Sequence, residues 1–434
     1  MSNEQIEIDN GVDRLAESIF DRLAQRLEQT PEVDNVGNKR PDVICLSHLR
    51  WDFVYQRPQH LLTRCAAERR VFFIEEPIFD NGSLSLEVNE SCRNLYVVVP
   101  HLPEGLRSEI ATTAVLKEMI HRLIREHHIS DYVCWYYTPM ALGFTRSLTP
   151  RAVVYDCMDE LSAFKGAPTE LGLRERELFK LADLVFTGGY SLYEAKRNNH
   201  HSVHPFPSSI DREHFKMARR ALAEPIDQQA IAHPRLGFFG VIDERFDIQL
   251  LEQVATLRPD WQFPMIGPIV KIHPDTLPHK PNIHYLGSKT YQQLPAYIAG
   301  WDVALLPFAQ NESTRFISPT KTPEYLAAGK PVISTPIRDV IRPYGEGGLV
   351  SIVNNAHEFI AAAEKALARK SDEAWLNEVD TFLGDMSWDE TWARMWQLID
   401  DKLNAKSQAN LAARLKPVGA EIAPKNLERG FLNV

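Results

Sequence analysis

Two consecutive series of short apolar segments constrain the fold of this chain more than any other feature. The first series lies between residues 42 and 206 and reads DVICLS, RVFFIEEP, LYVVVP, DYVCWYY, AVVYDC, DLVFTG and SVHPF. The second lies between residues 235 and 353 and reads RLGFFG, WQFPMIG, NIHYLG, WDVALLPF, KPVIST and GLVSIV. Each segment is apolar throughout, as is typical of parallel strands covered by helices on both faces. The sequence therefore predicts an α/β protein with two doubly wound, Rossmann-like domains.

The segments outside these two series set the expected domain boundaries. Residues 1–38 are interpreted as an amphipathic helix and a polar linker, 39–215 as the first domain and 216–385 as the second. The segment SWDETWARMWQLIDDKLN predicts a helix over 386–404 that crosses back to the first domain, with Ser387 as its N-cap. Residues 405–434 lack a clear apolar period, and we expect them to form an irregular tail.

Composition and charge narrow the range of functions. The 434 residues are 44% hydrophobic and 24% charged, which is typical of a folded globular protein. The net charge of -10 opposes a polyanion, so nucleic acid is not expected as a partner. The amino terminus lacks the features of a signal peptide, and no apolar run approaches the ~18–20 residues of a membrane helix. We expect a cytoplasmic protein, with contact at the inner face of the membrane left open.

The cysteines and the loops after the first strands exclude several site types. No C-x-x-C pair is present, and we expect all five cysteines to be buried thiols: Cys45, Cys65, Cys92, Cys134 and Cys157. Neither series opens with G-x-G-x-x-G, and no P-loop motif occurs, which disfavours dehydrogenases and P-loop phosphotransferases. No D-x-D motif follows a suitable strand, so no metal is expected. Two parallel sheets still predict a ligand in a deep cleft between their carboxyl edges.

The segment between residues 317 and 336 carries the strongest chemical signal. Ser318 and Thr320 lie in a turn that is predicted to start a helix, and Gly329 ends that helix. Free N–H groups at the amino end of a helix favour an anion, and Lys321 adds a full positive charge. One turn later, Glu324 has the carboxylate to accept two hydroxyls of a ribose. The alternative is a surface helix on which Lys321 and Glu324 form a weak ion pair.

The sequence around Glu324 resembles a known family. E-Y-L-A-A-G-K-P-V is similar to the nucleotide-sugar site of the GT-B glycosyltransferases of group 1 (family four-like), in which the corresponding Glu binds the ribose. The resemblance extends over about 41–404 and includes ADLVFTGGYS, SSIDREHF and SWDETWARM in the family's order. LRWDFVYQRPQHLL and YDCMDELSAF further resemble a bacterial branch that acts in surface-polysaccharide synthesis.

The resemblance implies a hexosyltransferase that acts without a metal. It would move a sugar from a nucleoside-diphosphate sugar, with a UDP-sugar favoured, to a glycan or lipid-linked acceptor, with retention of configuration. Peripheral membrane contact and assembly into a homo-oligomer stay open. The segment VLKEMIHRLIREHH, residues 115–128, has the apolar side and the positive charges for a membrane surface, or else covers the sheet. Two other functions stay open: a GT-B sugar-nucleotide epimerase, and a non-catalytic nucleotide-sugar-binding subunit.

Two positions depart from the family pattern. Phe316 replaces the upstream Glu of the family's E-x7-E, which leaves open whether configuration is retained or inverted. Phe246 and Asp247 stand where relatives place a Lys and a Gly that hold the diphosphate. Arg245 is therefore the candidate replacement, because its planar fork suits a diphosphate. The alternative is that Arg245 pairs with Asp243 or Asp247.

The first domain supplies candidates for the other side of the cleft. Gln56, Arg57 and His60 follow the first strand and begin a helix, where we expect acceptor or sugar contacts; a histidine there is equally compatible with a helix start without chemistry. Asp156 and Asp159 end another strand and either orient a sugar hydroxyl or cap the next helix. The expected catalytic residues are Arg245, Lys321 and His60, and the expected substrate-binding residues are Glu324, Ser318, Thr320, Gly240, Arg57, Gln56, Asp156 and Asp159.

Overall fold

The computed structural model describes residues 40–368 and 373–415, and these residues form two sheets built mainly of parallel strands. The first sheet has the order β3-β5-β2-β1-β6-β7-β8-β9, with β4 antiparallel to β5. Its strands are β1 (Asp42–Leu46), β2 (Val71–Ile74), β3 (Ile78–Asp80), β4 (Ser85–Cys92), β5 (Leu95–Pro103), β6 (Tyr132–Tyr136), β7 (Ala152–Cys157), β8 (Leu184–Thr187) and β9 (Val203–Pro205). The second sheet, of order β12-β11-β10-β13-β14-β15, contains β10 (Leu236–Phe239), β11 (Phe263–Ile266), β12 (Ile283–Gly287), β13 (Val303–Leu306), β14 (Val332–Ser334) and β15 (Val350–Ile352).

The helices lie between these strands and cover both sheets. They are α1 (Arg57–Ala66), α2 (Glu109–Glu126), α3 (Leu142–Thr145), α4 (Leu171–Leu181), α5 (Tyr190–Lys196), α6 (Arg212–Lys216), α7 (Ile226–Gln229), α8 (Ile248–Leu257), α9 (Leu294–Ala299), α10 (Lys321–Ala327), α11 (Arg338–Val340), α12 (Ala356–Ala368), α13 (Glu373–Phe382) and α14 (Trp388–Leu415). None of the helices in the described ranges is long and apolar enough to cross a lipid bilayer.

The predicted strands and the predicted fold class are confirmed. All thirteen predicted segments contain a strand, and central strands such as β1 and β6 are buried along their whole length. The sequence reasoning missed β3 and β4. Residues of β4 are mostly exposed and polar, because this strand lies at the margin of the sheet and pairs with β5 alone. For the same reason Cys92, at its end, is exposed, and the expectation of five buried thiols is wrong at that position.

The amphipathic helix α2 belongs to the core of the first domain. Its apolar side, including Val115, Met119 and Ile120, is buried on the protein. Arg122 pairs with Glu126, and Arg125 pairs with Glu118, so its positive charges are largely balanced. The apolar side of α2 is therefore not available to a membrane surface. Of the two interpretations of residues 115–128, the helix that covers the sheet is the correct one.

The boundary between the two cores lies slightly earlier in the chain than expected, and helix α14 returns to the first domain. Ile210, a few residues before the expected boundary at 215, and Phe215, at that boundary, both pack in the core of the second domain. Trp388 and Trp392 of α14 pack in the core of the first domain. The helix continues to Leu415, so the expected irregular tail is wrong for residues 405–415, where Ala, Leu, Lys and Arg favour a helix. The expectations for residues 1–38 and 416–434 lie outside the described residues.

Candidate active site

A cavity of about 570 Å³ lies between the two domains. Its walls are formed by the segments that follow the carboxyl ends of strands in both sheets, from 51–59 after β1 to 317–321 after β13. The carboxyl edges of two parallel sheets therefore face one cleft, as the strand pattern predicted.

Glu324 and Lys321 lie one turn apart on α10, in the wall of this cleft. Glu324 is 4% exposed, and its buried Oε2 atom has no hydrogen-bond partner among the described residues. Burial raises the pKa of Glu324, while the nearby Lys321 lowers it. Burial likewise lowers the pKa of Lys321, and Glu324 opposes this shift. A buried acceptor without a partner costs about 1–3 kcal/mol, so Glu324 has hydrogen-bonding capacity to offer a ligand.

Other predicted residues of the second domain also reach the cleft. Ser318, Thr320 and Gly240 line it. The carbonyl of Ser318 accepts a hydrogen bond of 2.8 Å from Oγ of Ser208, which ties the segment before α10 to the segment that joins the domains. Their contacts with a ligand stay predictions.

Arg245 lines the cleft, but its guanidinium has a protein partner. Its Nε donates to both carboxylate oxygens of Asp243, at 3.0 and 3.1 Å, and its Nη2 donates to Oδ2 at 2.7 Å. Asp243 is buried and balances the charge of Arg245. The pairing that the sequence left as an alternative is therefore present, and a role in diphosphate binding stays a prediction.

The first-domain candidates divide between the cleft and the core. Gln56 and Asp159 line the cleft, and burial raises the pKa of Asp159. Asp156 is fully buried and holds Arg57 through Nε, at 3.0 Å, and Nη2, at 2.9 Å. Arg57 also donates from Nη1 to the carbonyl of Phe206 at 2.8 Å. Asp156 therefore forms an internal ion pair, which corrects its assignment to a sugar hydroxyl. Arg57 borders the cleft, but its guanidinium donates hydrogen bonds to groups inside the protein.

His60 is a packing residue in this structure. It is 2% exposed, and its ring stacks on that of Trp388 with 4.6 Å between centroids and 10° between planes. Burial lowers the pKa of His60 to about 3, with Arg64 and His214 adding to the shift. It is not among the residues that line the cleft. The expected catalytic role of His60 is therefore corrected: the aromatic ring helps α14 to pack on α1.

The sequence reasoning missed the aromatic residues of the cleft. Tyr55 and Tyr291 line it from opposite domains and stack on each other, with 4.5 Å between ring centroids. Tyr291 begins a short 3-10 helix, Tyr291–Gln293, after β12, and no recognisable motif surrounds it, so only its position in the fold reveals it. Phe316, the departure from E-x7-E, packs against the core of the first domain.

Comparisons with known proteins agree with the two-domain fold and with the position of the Glu324 motif. Residues 233–369 match the family of glycosyl transferases group 1. TuaH of Bacillus subtilis (strain 168), named as a teichuronic acid biosynthesis glycosyltransferase, is 28% identical over 246 residues, which are 51% of this chain and 60% of TuaH. The match thus spans less than two thirds of that relative.

Solved structures extend the likeness to most of the chain. Sucrose-phosphate synthase from Thermosynechococcus elongatus gives a TM-score of 0.63 at 14% identity, over 84% of this chain and 100% of that one. Anabaena HepE in complex with UDP and glucose gives 0.59 at 13% identity, over 83% and 100%.

The two Rossmann-like domains around the cleft have the GT-B fold. The match of residues 233–369 to the group 1 glycosyl transferases includes E-Y-L-A-A-G-K-P-V and confirms the resemblance drawn from that motif.

Proposed function

We propose that this protein is a glycosyltransferase that moves a sugar from a nucleoside-diphosphate sugar to a glycan or lipid-linked acceptor in surface-polysaccharide synthesis. The observation that carries the proposal is the pair Glu324 and Lys321 in the interdomain cleft: beside a cation lies a buried carboxylate oxygen that has no partner within the described ranges of the chain. A ribose diol matches the first group and a diphosphate matches the second. The UDP in the Anabaena structure and the name of TuaH support the donor type and the process.

The proposed chemistry needs little from the protein beyond binding and charge stabilisation. The bond between the anomeric carbon and the diphosphate oxygen breaks as the acceptor oxygen bonds to that carbon, through an oxocarbenium-like state. The acceptor proton passes to the departing diphosphate. Negative charge grows on the leaving group, and Lys321, held in a site of low exposure, stabilises it. We keep retention of configuration as part of the proposal; NMR of the first-formed product decides it.

Nucleotide titration tests the binding half of the proposal. Isothermal titration with UDP, ADP and UDP-sugars should give saturable binding by the wild-type protein. Glu324→Ala should weaken that binding by about 1.5–3 kcal/mol, the range for a hydrogen bond to a charged group. Glu364→Ala is the matched control, because Glu364 is an exposed acid of the same domain that pairs with Arg258. Equal affinity for wild type and Glu324→Ala would reject the site.

Product analysis separates glycosyl transfer from the other two functions. Incubation with a labelled UDP-sugar and membrane-extracted acceptor should transfer label to the acceptor and release UDP. A sugar nucleotide of changed configuration would identify an epimerase. Binding of UDP without turnover would identify a non-catalytic binding subunit. Flotation of the protein with anionic vesicles tests the proposed peripheral membrane contact, and light scattering tests the proposed homo-oligomer.

A further inference from the structure

Tyr291 is a second residue of the cleft with unmet hydrogen-bonding capacity. Its hydroxyl is buried and, like Oε2 of Glu324, has no hydrogen-bond partner in the described part of the chain. Both residues line the same cavity. Burial raises the pKa of Tyr291, and the negative charge of Glu324 raises it further. A donor and an acceptor therefore border the same cavity, and neither has a hydrogen-bond partner among residues 40–368 and 373–415.

The surroundings of Tyr291 hold its ring in one place. Its carbonyl accepts a hydrogen bond of 3.0 Å from Nε2 of His214, and the His214 ring stacks on it at 4.3 Å and 12°. Tyr55 stacks on it at 4.5 Å. His60 and Phe215 meet the ring edge-on, at 5.4 and 5.6 Å. Because these contacts fix the ring, the Tyr291 hydroxyl is preorganised. A ligand that bonds to it does not have to offset the entropy cost of ordering the side chain.

We infer that Tyr291 is a specificity residue for the ribose of the nucleotide, its hydroxyl donating to one oxygen of the diol that Glu324 accepts from. This rests on the proposed function and adds a residue that the E-Y-L-A-A-G-K-P-V motif does not contain. Glu324 is acceptor-only when ionised, whereas each ribose hydroxyl both donates and accepts. Tyr291 supplies the donor that the carboxylate lacks. Tyr55, which supports the ring from the first domain, is a positioning residue.

Tyr291→Phe tests this assignment because it removes one oxygen and keeps the ring. The variant should bind UDP about threefold to tenfold more weakly than wild type, as expected for a neutral hydrogen bond. Wild type and Tyr291→Phe should bind one of the two deoxy nucleotides, 2′-deoxy-UDP or 3′-deoxy-UDP, with equal affinity. That nucleotide lacks the hydroxyl to which Tyr291 donates, so the substitution has no hydrogen bond left to remove. Tyr285→Phe is the control: Tyr285 is a half-buried tyrosine of the same domain, outside the cleft wall, that donates to Pro278. Its UDP affinity should equal that of wild type.

A second readout distinguishes recognition from packing. The melting temperature of the ligand-free Tyr291→Phe protein should equal or exceed that of wild type, since a buried hydroxyl without a partner is removed. Tyr55→Leu should weaken UDP binding in the wild type more than in the Tyr291→Phe background. Equal UDP affinity for wild type and Tyr291→Phe, or equal losses with UDP and both deoxy nucleotides, would overturn the inference while the proposed function stands. Absence of any nucleoside-diphosphate binding by wild type would instead overturn both.

Discussion

A Cβ atom on Gly240 would lie 2.1 Å from Cε of Lys321 and 2.7 Å from its Nζ, so only a glycine lets the lysine take its place beside β10. Gly240 also has a φ of +139°, a backbone conformation that side-chain-bearing residues rarely adopt. The turn after β10 and the start of α10 therefore fit each other at this glycine. Neither segment can be changed alone without moving the cation of the site.

Gly240→Ala should displace Lys321 and weaken nucleotide binding at least tenfold, a change of about 1.4 kcal/mol. Strain at the positive φ should also lower stability by about 1–3 kcal/mol. Calorimetric titration with UDP and urea unfolding measure the two effects. Gly166→Ala is the control, because Gly166 has a φ of +79° but open space where Cβ would lie. It should lose stability and keep nucleotide affinity; equal binding by wild type and Gly240→Ala would contradict the fit described above.

The nucleotide affinity should depend on pH through Glu324. Its carboxyl group accepts from both hydroxyls of a diol, through charge-assisted hydrogen bonds, only when it is ionised, and burial raises its pKa to about 7. Affinity should therefore be full above that pH and should fall as the pH decreases from about 7 towards 5, well above the range of a free carboxyl group. In Glu324→Gln this part of the pH dependence should disappear, leaving only the titration of the nucleotide itself. An identical pH profile for wild type and variant would contradict the assignment.

Asp156 should matter for stability. Removing one partner of a buried ion pair leaves the other charge uncompensated, at a cost of about 3–5 kcal/mol. Asp156→Ala should therefore lower the free energy of unfolding by that order, because Arg57 is left buried. The comparison is Glu126→Ala, which breaks an exposed pair with Arg122 and should cost at most about 0.5 kcal/mol. Urea titrations followed by tryptophan fluorescence measure both, and similar losses in the two variants would be inconsistent with a structural role for Asp156.

His60→Phe should keep the turnover number of wild type within a few-fold, since Phe retains the ring that stacks on Trp388. His60→Ala should instead lose stability by about 1–3 kcal/mol through lost packing. The pH profile of turnover should be the same in wild type and His60→Phe. A large loss of turnover in a stable His60→Phe protein would instead support a catalytic role for His60.

Glycosyl transfer should proceed in excess chelator. The expectation comes from the sequence, in which no D-x-D follows a suitable strand end, and from Lys321 as the group that meets the diphosphate charge. Transfer assays with and without EDTA measure it, with Lys321→Met as the variant that should lose turnover in both conditions. Activity that disappears on chelation and returns with magnesium or manganese would refute metal-independent transfer.

The amino-acid sequence by itself predicted the fold class and two residues of the candidate site. Apolar runs that do not alternate determine strands covered on both faces, and thirteen of them in two series determine two α/β domains. The local pattern from Ser318 to Gly329 determines a short helix with a cation and a carboxylate one turn apart, because a turn, a helix and a glycine stop are all set by neighbours in sequence. Glu324 and Lys321 were found in this way.

What the tertiary structure decided is which polar groups are already satisfied. Asp156 lies near the end of β7, three residues before Asp159, and His60 lies in α1, four residues after Gln56. Asp156 nevertheless pairs with Arg57, 99 residues earlier in the chain, and His60 stacks on Trp388, far along the chain. Tyr291 belongs to no motif, and only the three-dimensional structure shows that Tyr55 of the other domain stacks on its ring and that its hydroxyl lacks a partner among the residues described. A sequence specifies the donors and acceptors of a chain, whereas hydrogen bonds between distant residues determine which of them are left for a ligand.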